Sequence, residues 1–487
     1  MISASKPISI NFGTDGFRGV IGDNFTFNAV SRISFSLAEY LKENSSKTVA
    51  IGYDTRFLSK EFASAAANVL TSAGINVILS DNFCPSPVLS YFVKSQKCAA
   101  GIMITASHNP FMFNGLKFKS RFGSSMSESD VKKIEKIVNA KSYYVNSSEL
   151  DYRGNSNFQS ADFKKDYIKH IIGLTEIDKA VSGADKDLLK SLDIIIDPMF
   201  GAGIGYLSFI LKKFSIKHSS IHNTVNPAFP GLNPEPIDGN LRKLKAFLKE
   251  RGIKNKFAVG FATDGDADRI GAVDSEGNFI DSHKIFSIIL NYLIKEGCRG
   301  SVVKTVSVSR SIDDICKEHK IKLYETPIGF KNIAALMTKK GNDVFMGGEE
   351  SGGIGIASHL PERDGIFNAL LLLKIMIKTQ KSLNELLSGM SNEPYPYSYI
   401  REDLHLEEDK KRRLIEKLKD GSFILPLKND IVSANFTDGF KFEYKDGSWL
   451  LIRPSGTEPV LRIYAESRLK KKTDDLINKV KRDIENF

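Results

Sequence analysis

Ala99-Ala100-Gly101-Ile102-Met103-Ile104-Thr105-Ala106-Ser107-His108-Asn109-Pro110 passes abruptly from apolar to polar. The first half reads as a buried strand and the second as a turn at its end. A strand that stops this way presents its serine at the edge of a sheet. Ser107 is then a hydroxyl nucleophile beside the imidazole of His108 and the amide of Asn109, in a turn stiffened by Pro110. A Ser-His pair is by itself an ordinary feature of solvated loops. Its meaning depends on what the remaining chain supplies.

Outward from this stretch, apolar strand-like runs alternate with amphipathic helical ones. Thr48 to Tyr53 reads as a strand, Glu61 to Ala73 as a helix and Ile75 to Ser80 as a strand. Leu192 to Ile196 is a strand that enters Gly201-Ala202-Gly203-Ile204-Gly205 and then a helical pattern. Phe257 to Ala262 ends at an acidic loop, and Ser301 to Val306 precedes a helix from about Ser311. The alternation predicts α/β layers. Segments 146–157 and 392–397 read as linkers. Beyond them, short strands, turns such as Asp446-Gly447 and a closing helix from Lys472 predict a smaller α+β domain. A dinucleotide fingerprint needs glycine where Tyr206 stands, so glycines 201, 203 and 205 read as a tight strand-to-helix turn.

The chain has 487 residues, 41% of them hydrophobic, which suggests about three or four domains. Its net charge is +10, but the basic residues are dispersed. Lys410-Lys411-Arg412-Arg413 follows Glu407-Glu408-Asp409 and reads as an exposed helix face, as does Lys470 to Lys472, so no nucleic-acid partner is expected. Four scattered cysteines make neither a disulfide framework nor a zinc site. With no secretory pattern and no membrane-length apolar run, a cytoplasmic protein without a membrane partner is expected.

Three downstream clusters carry chemistry. Asp264-Gly265-Asp266-Ala267-Asp268-Arg269 places three carboxylates at alternate positions, where they repel unless a cation joins them. An EF-hand loop would need glycine and glutamate where Arg269 and Ser275 stand. Three protein ligands leave positions open for a phosphate oxygen, and Arg269 adds a guanidinium fork. Gly347-Gly348-Glu349-Glu350-Ser351-Gly352-Gly353 offers, at Glu349 and Ser351, the acceptors and donors that sugar hydroxyls require. Arg453-Pro454-Ser455-Gly456-Thr457-Glu458-Pro459, with Arg462, reads as an anion nest. Arg18, in Asn11-Phe12-Gly13-Thr14-Asp15-Gly16-Phe17-Arg18-Gly19, and Lys117 are further cations that suit either a reacting phosphate or the surface.

Together these four motifs, in this order over essentially the whole chain, resemble the α-D-phosphohexomutase family. The resemblance implies four domains around a central cleft: three similar mixed-sheet α/β domains and a smaller, mobile α+β C-terminal one. Residues 1–152, 153–278, 279–391 and 392–487 are the expected domains. It implies that Ser107 carries a phosphoryl group and that Asp264, Asp266 and Asp268 hold Mg²⁺ together with a phosphoserine oxygen. Arg18, Lys117 and Arg269 would stabilise charge, with Lys117 also a candidate general base, and His108 would orient the site. Lys304, Thr326 to Gly329, Glu349 and Ser351 would contact the sugar. Arg453, Ser455, Gly456, Thr457 and Arg462 would hold the phosphate that is not reacting.

The implied reaction is reversible conversion of a hexose 1-phosphate to its 6-phosphate through a hexose 1,6-bisphosphate that turns over in the cleft. Small hexose phosphates are the implied partners. The loop 348–353 looks most like phosphoglucomutases; the mannose and glucosamine enzymes more often carry Met or Gln where Glu350 stands and His where Gly353 stands. Phe12 to Gly19 looks partly like the glucosamine branch. Glucose is therefore the expected sugar, with phosphomannomutase or phosphoglucosamine mutase as the alternative. A serine-dependent sugar-phosphate phosphohydrolase is the rival chemistry, and it would favour a dinuclear metal site where this chain has one compact aspartate loop. Intact Ser107, Lys117 and the aspartate triplet argue against a non-catalytic binding protein.

Overall fold

The computed structural model describes residues 9–487 apart from 14, 44–45, 141–150, 253–254, 340, 342, 390–396 and 455–459. Residues 146–150 and 392–396 of the two expected linkers, and Ser455, Gly456 and Thr457, lie outside the described residues.

Four sheets follow one another along the chain. The first orders its strands Phe17–Val20, Phe113–Ser120, Ala100–Ile104, Thr48–Tyr53, Asn76–Ser80 and Phe158–Ala161. The second runs Phe279–Ile280, Ile270–Val273, Ala258–Thr263, Asp193–Asp197 and His218–Ser220. The third runs Leu323–Thr326, Ser301–Thr305, Val344–Gly348 and Ile354–Ile356. All three are mixed sheets with helices, and the fourth is antiparallel, so the fold is the expected α/β arrangement with a smaller C-terminal α+β domain. The first sheet takes Phe158–Ala161 from beyond residue 152, because this strand pairs in parallel with Asn76–Ser80.

The three mixed sheets share one device. In each, a buried strand with a parallel neighbour ends, a loop follows, and the next strand returns antiparallel beside it. Ile104 pairs with Leu116 across the Ser107 loop. Thr263 pairs with Ile270 across the aspartate loop. Gly348 pairs with Ile354 across the Glu349 loop. Strand ends of α/β sheets are where ligands bind, since backbone groups there are not consumed by the ladder.

A shared core fixes the first three domains together. Helix Gly365–Thr379 (GIFNALLLLKIMIKT) is apolar on nearly every face, and all but three of its residues are buried. It packs with Lys164–Thr175, Ile177–Ser182 and Ser282–Lys295 in one cluster that also takes in Val88 and Phe163. Asp364 caps this helix by accepting from the N–H of Phe367 at 2.8 Å. The fourth domain has its own core between its sheet and helices Glu408–Asp420 and Lys470–Glu485. It meets the third through Val306, Trp449, Leu451 and Tyr464. The cysteines are free thiols, and among the described residues no helix is long and apolar enough to cross a membrane.

Candidate active site

Ser107 is buried and sits at φ +51°, in the left-handed region that costs a residue with a Cβ about 1 kcal/mol. Arg56, the third residue after the strand Thr48–Tyr53, holds the loop there. Its guanidinium donates to the carbonyls of Ser107 (2.5 Å), Asn109 (2.7 Å), Pro110 (3.0 Å) and Phe113 (3.1 Å). Ser107 Oγ donates to Asp264 Oδ2 at 2.8 Å, so the first sheet's serine loop meets the second sheet's acidic loop. Gly265 makes this approach feasible: a Cβ there would lie 2.3 Å from the carbonyl oxygen of Ser107. Gly201 serves the same packing, since its Cβ would strike the Gly265 backbone at 2.7 Å. That accounts for the glycine-rich turn without a nucleotide.

Asp264, Asp266 and Asp268 are each 0% exposed, and one oxygen from each lies within 4.8 Å of the others. Burial, then the charges of Asp268 and Asp266, push Asp264 well above the usual carboxylate range. Burial also raises Asp268. Burial would raise Asp266 too, but Lys117 and the Ser86 hydroxyl hold it low. Asp266 Oδ1 and Asp268 Oδ1 are buried and accept no hydrogen bond. Such a set of crowded, unsatisfied carboxylate oxygens suits a hard divalent cation.

Cations surround the triad. Lys117 Nζ lies 2.9 Å from Asp266 Oδ2, 2.9 Å from Asp15 Oδ2 and 3.6 Å from Asp268 Oδ2. Burial opposes its charge, but Asp15 and Asp266 outweigh it and raise the ammonium's pKa. In this arrangement Lys117 neutralises charge and is poorly disposed to take a proton. Arg18 donates to Asn109 Oδ1 at 2.5 Å, and Arg269 pairs with Glu235 at 3.2 Å. His108 Nδ1 lies 3.4 Å from Ser107 Oγ. Desolvation, then Arg269 and Arg18, drive its imidazole well below the ordinary value, so it is neutral.

The third sheet's loop joins this centre through Arg363, which sequence reading missed. Its Nη2 contacts Asp268 Oδ2 at 2.7 Å and Asp15 Oδ2 at 2.9 Å, and its Nη1 lies 3.4 Å from Glu349 Oε2. One guanidinium thus binds a carboxylate from each of three domains. Glu349 also accepts from the N–H of Gly329 at 3.0 Å, and burial pushes its carboxyl up to about 7. Ser351 is half-buried in this loop, and Thr326 is buried at the end of the strand Leu323–Thr326. The Lys304 ammonium pairs with Asp313 and lies 3.9 Å from Glu325 at the seam with the fourth domain. Arg453 and Arg462 are directly opposed on neighbouring strands.

The four domain families of phosphoglucomutase/phosphomannomutase match in order: α/β/α domain I at 9–145, domain II at 165–277, domain III at 281–393 and the C-terminal domain at 409–482. A protein named "Probable phosphoglucosamine mutase" from Methanosphaera stadtmanae is 31% identical over 99% of both chains. The chain belongs to the phosphoglucomutase/phosphomannomutase family. Within that family, a "Phosphoglucomutase/phosphomannomutase" from Thermococcus kodakarensis is 28% identical over 96% of both chains. A solved structure described as a "putative phosphomannomutase" from Thermus thermophilus superposes with a TM-score of 0.84 at 32% identity, covering 98% of this chain and 99% of the other. This phosphohexomutase therefore has its isomerase chemistry fixed at the family level.

Arg363 stands in Pro361-Glu362-Arg363-Asp364-Gly365, three charges set against a mostly apolar helix. That contrast was the available signal. Replacing Arg363 by Leu leaves Asp15, Asp268 and Glu349 without their common partner. The expected result is a loss of about 3–5 kcal/mol of stability and of measurable turnover. Urea unfolding checks it, and a variant as stable as its parent contradicts the role.

Proposed function

We propose that this phosphohexomutase interconverts glucosamine 1-phosphate and glucosamine 6-phosphate through a phosphorylated Ser107 and an enzyme-held 1,6-bisphosphate. The observation that carries the chemistry is the 2.8 Å contact between Ser107 Oγ and Asp264 inside a buried three-carboxylate cluster. Magnesium bound by Asp264, Asp266 and Asp268 would neutralise charge on the phosphoserine oxygens.

In the first half-reaction the P–Oγ bond of phosphoserine breaks as a P–O bond to the sugar hydroxyl forms. The hydroxyl proton passes by way of the neutral imidazole of His108 to the departing Ser107 Oγ, 3.4 Å from its Nδ1, while Lys117, Arg18 and Arg269 stabilise the moving negative charge. The bisphosphate then turns over, and its other phosphoryl group returns to Ser107. Lys304, Thr326 and Gly329 frame the sugar from the third domain. Arg453 and Arg462, paired across two strands, bind the phosphate that is not reacting, with Ser455, Gly456 and Thr457 beside them in sequence.

The sugar assignment replaces the glucose expected from the loop 348–353. The relatives from Methanosphaera stadtmanae and Pyrococcus furiosus, 31% and 30% identical, are both named as phosphoglucosamine mutases. The absence of histidine at 353 has a packing reason that does not depend on the sugar. A Cβ on Gly353 would lie 2.2 Å from Arg363 Cδ, so Arg363 takes the space. Glu349 and Glu350 present two carboxylates to the sugar, and an ammonium at C2 would draw the enclosed Glu349 into its ionised form.

A coupled assay on glucosamine, mannose and glucose 1-phosphates tests the assignment, and highest kcat/KM for glucosamine is expected. Faster turnover of glucose or mannose decides for those sugars, while inorganic phosphate released without isomer formation decides for a phosphohydrolase. A pH series adds an independent check. Glu349, raised to about 7, is ionised above that pH and neutral below it. The preference for glucosamine over glucose phosphate should therefore be greatest near neutral pH, shrinking at lower pH as Glu349 takes up its proton and at higher pH as the sugar's ammonium loses its own. A ratio that ignores pH removes Glu349 from amine recognition.

A further inference from the structure

Asp438 lies in the turn between strands Ile431–Asn435 and Phe440–Tyr444 of the fourth domain. Its two oxygens go to different domains. Oδ1 accepts from Nε of Arg453, in its own sheet, at 2.9 Å. Oδ2 accepts from the backbone N–H of Ile328, in the third domain, at 2.8 Å. The residue after Ile328 is Gly329, whose N–H donates to Glu349 Oε1 at 3.0 Å. A continuous path therefore runs from Glu349 through Gly329, Ile328 and Asp438 to Arg453.

The turn that carries Asp438 is fixed. Gly439 adopts φ +94°, and a Cβ there would lie 2.8 Å from the carbonyl oxygen of Ile452 and 3.1 Å from Cα of Arg453. The seam has other ties: Lys441 Nζ donates to Val306 O at 2.8 Å and to Glu325 at 3.1 Å. Those ties dock the domains, whereas Asp438 grips Arg453 itself. It does so on the Nε edge, opposite the two terminal nitrogens that form a fork for phosphate. Such a grip matters because Arg453 faces Arg462 across the ladder, and like charges opposed on neighbouring strands push apart.

We propose that Asp438 is a positioning residue of the mutase reaction. It aims Arg453 at the distant phosphate and keeps that arginine in register with the loop that meets the sugar. The proposal rests on the reading of Arg453 as a phosphate contact. Its consequence is a defined span between sugar loop and phosphate clamp whenever the two domains are docked, which a bisphosphate needs in both of its orientations.

Asp438→Asn is nearly isosteric but has one acceptor, so its amide nitrogen must face either the Arg453 Nε–H or the Ile328 N–H. The test measures this variant, Asp438→Ser, Arg453→Ala and the Arg453→Ala/Asp438→Asn pair, with whichever hexose phosphate the enzyme turns over best. Losing one charge-assisted hydrogen bond predicts about tenfold higher KM for Asp438→Asn, with kcat within about threefold of the parent. The inhibition constant of inorganic phosphate should rise in parallel. Deuterium exchange at the Ile328 amide should quicken, and adding Asp438→Asn to Arg453→Ala should cost no further KM.

Arg453→Ala with raised KM, beside an Asp438 variant with unchanged KM and unchanged phosphate inhibition, overturns this proposal alone. Arg453→Ala with unchanged KM overturns the phosphate reading and this proposal with it. Losses that add in the double variant, or Asp438 variants that lose only stability, also overturn it.

Discussion

Ser107→Ala is expected to abolish hexose phosphate isomerisation, lowering kcat by at least about 10⁴-fold, as removal of a nucleophile does elsewhere. The fold should survive. Alanine keeps the Cβ, so the cost of φ +51° is unchanged, and Arg56 grips this loop through four carbonyl oxygens rather than through the hydroxyl. What is lost in the resting protein is one donor to Asp264 Oδ2. Burial already favours the protonated form of that carboxyl, which softens the loss. Intact-mass measurement after incubation with a hexose bisphosphate should show an added phosphoryl group on the parent and none on the variant. Full turnover by Ser107→Ala would remove Ser107 from the mechanism.

Asp264→Asn should lower turnover by at least about a thousandfold and yet stabilise the metal-free protein by about 1 kcal/mol. The two signs have one origin. Asp264 Oδ1 accepts from the N–H of Arg269 at 3.1 Å, and Oδ2 accepts from Ser107. Asparagine satisfies both positions, because its oxygen accepts from Arg269 while its amide donates to the Ser107 hydroxyl. The variant therefore keeps its hydrogen bonds and removes one charge from a crowded cluster. A carboxyl raised in the folded state binds protons that the unfolded chain releases, so its ionisation opposes folding above its ordinary pKa. Thermal unfolding in EDTA and in Mg²⁺ separates the effects: the variant should melt higher than the parent in EDTA and gain less from Mg²⁺. A variant that melts lower in EDTA and keeps the parent's gain would place the cation elsewhere.

The fold was legible where local pattern and tertiary context agree. Thr48 to Tyr53 reads as a strand and is one, and the helix expected near Ser311 begins there. The closing helix begins at Lys470, two residues before its expected start at Lys472. In the site, Ser107 and the three aspartates stood out because their residue types and spacing have few other uses. Arg363 and Arg56 did not. Each sits in a short loop beside an element with acidic neighbours of its own, and what makes each matter is the carboxylates or carbonyls that other segments bring to it. Lys304 shows the same limit: nothing beside it in the sequence signals that its ammonium is held by Asp313, nine positions further along the chain.

Sequence alone determined the strand–helix alternation, the serine turn, the acidic loop and the family they belong to, because each is written in contiguous residues. Only the tertiary structure decided which distant groups share a charge. Asp268 and Glu349 lie in the turn-back loops of the second and third sheets and Asp15 just before the strand Phe17–Val20 of the first, and all three converge on Arg363. The spacing of residues along a chain holds no record of that convergence, since a buried charge is stabilised by whatever lies within a few ångströms of it in space.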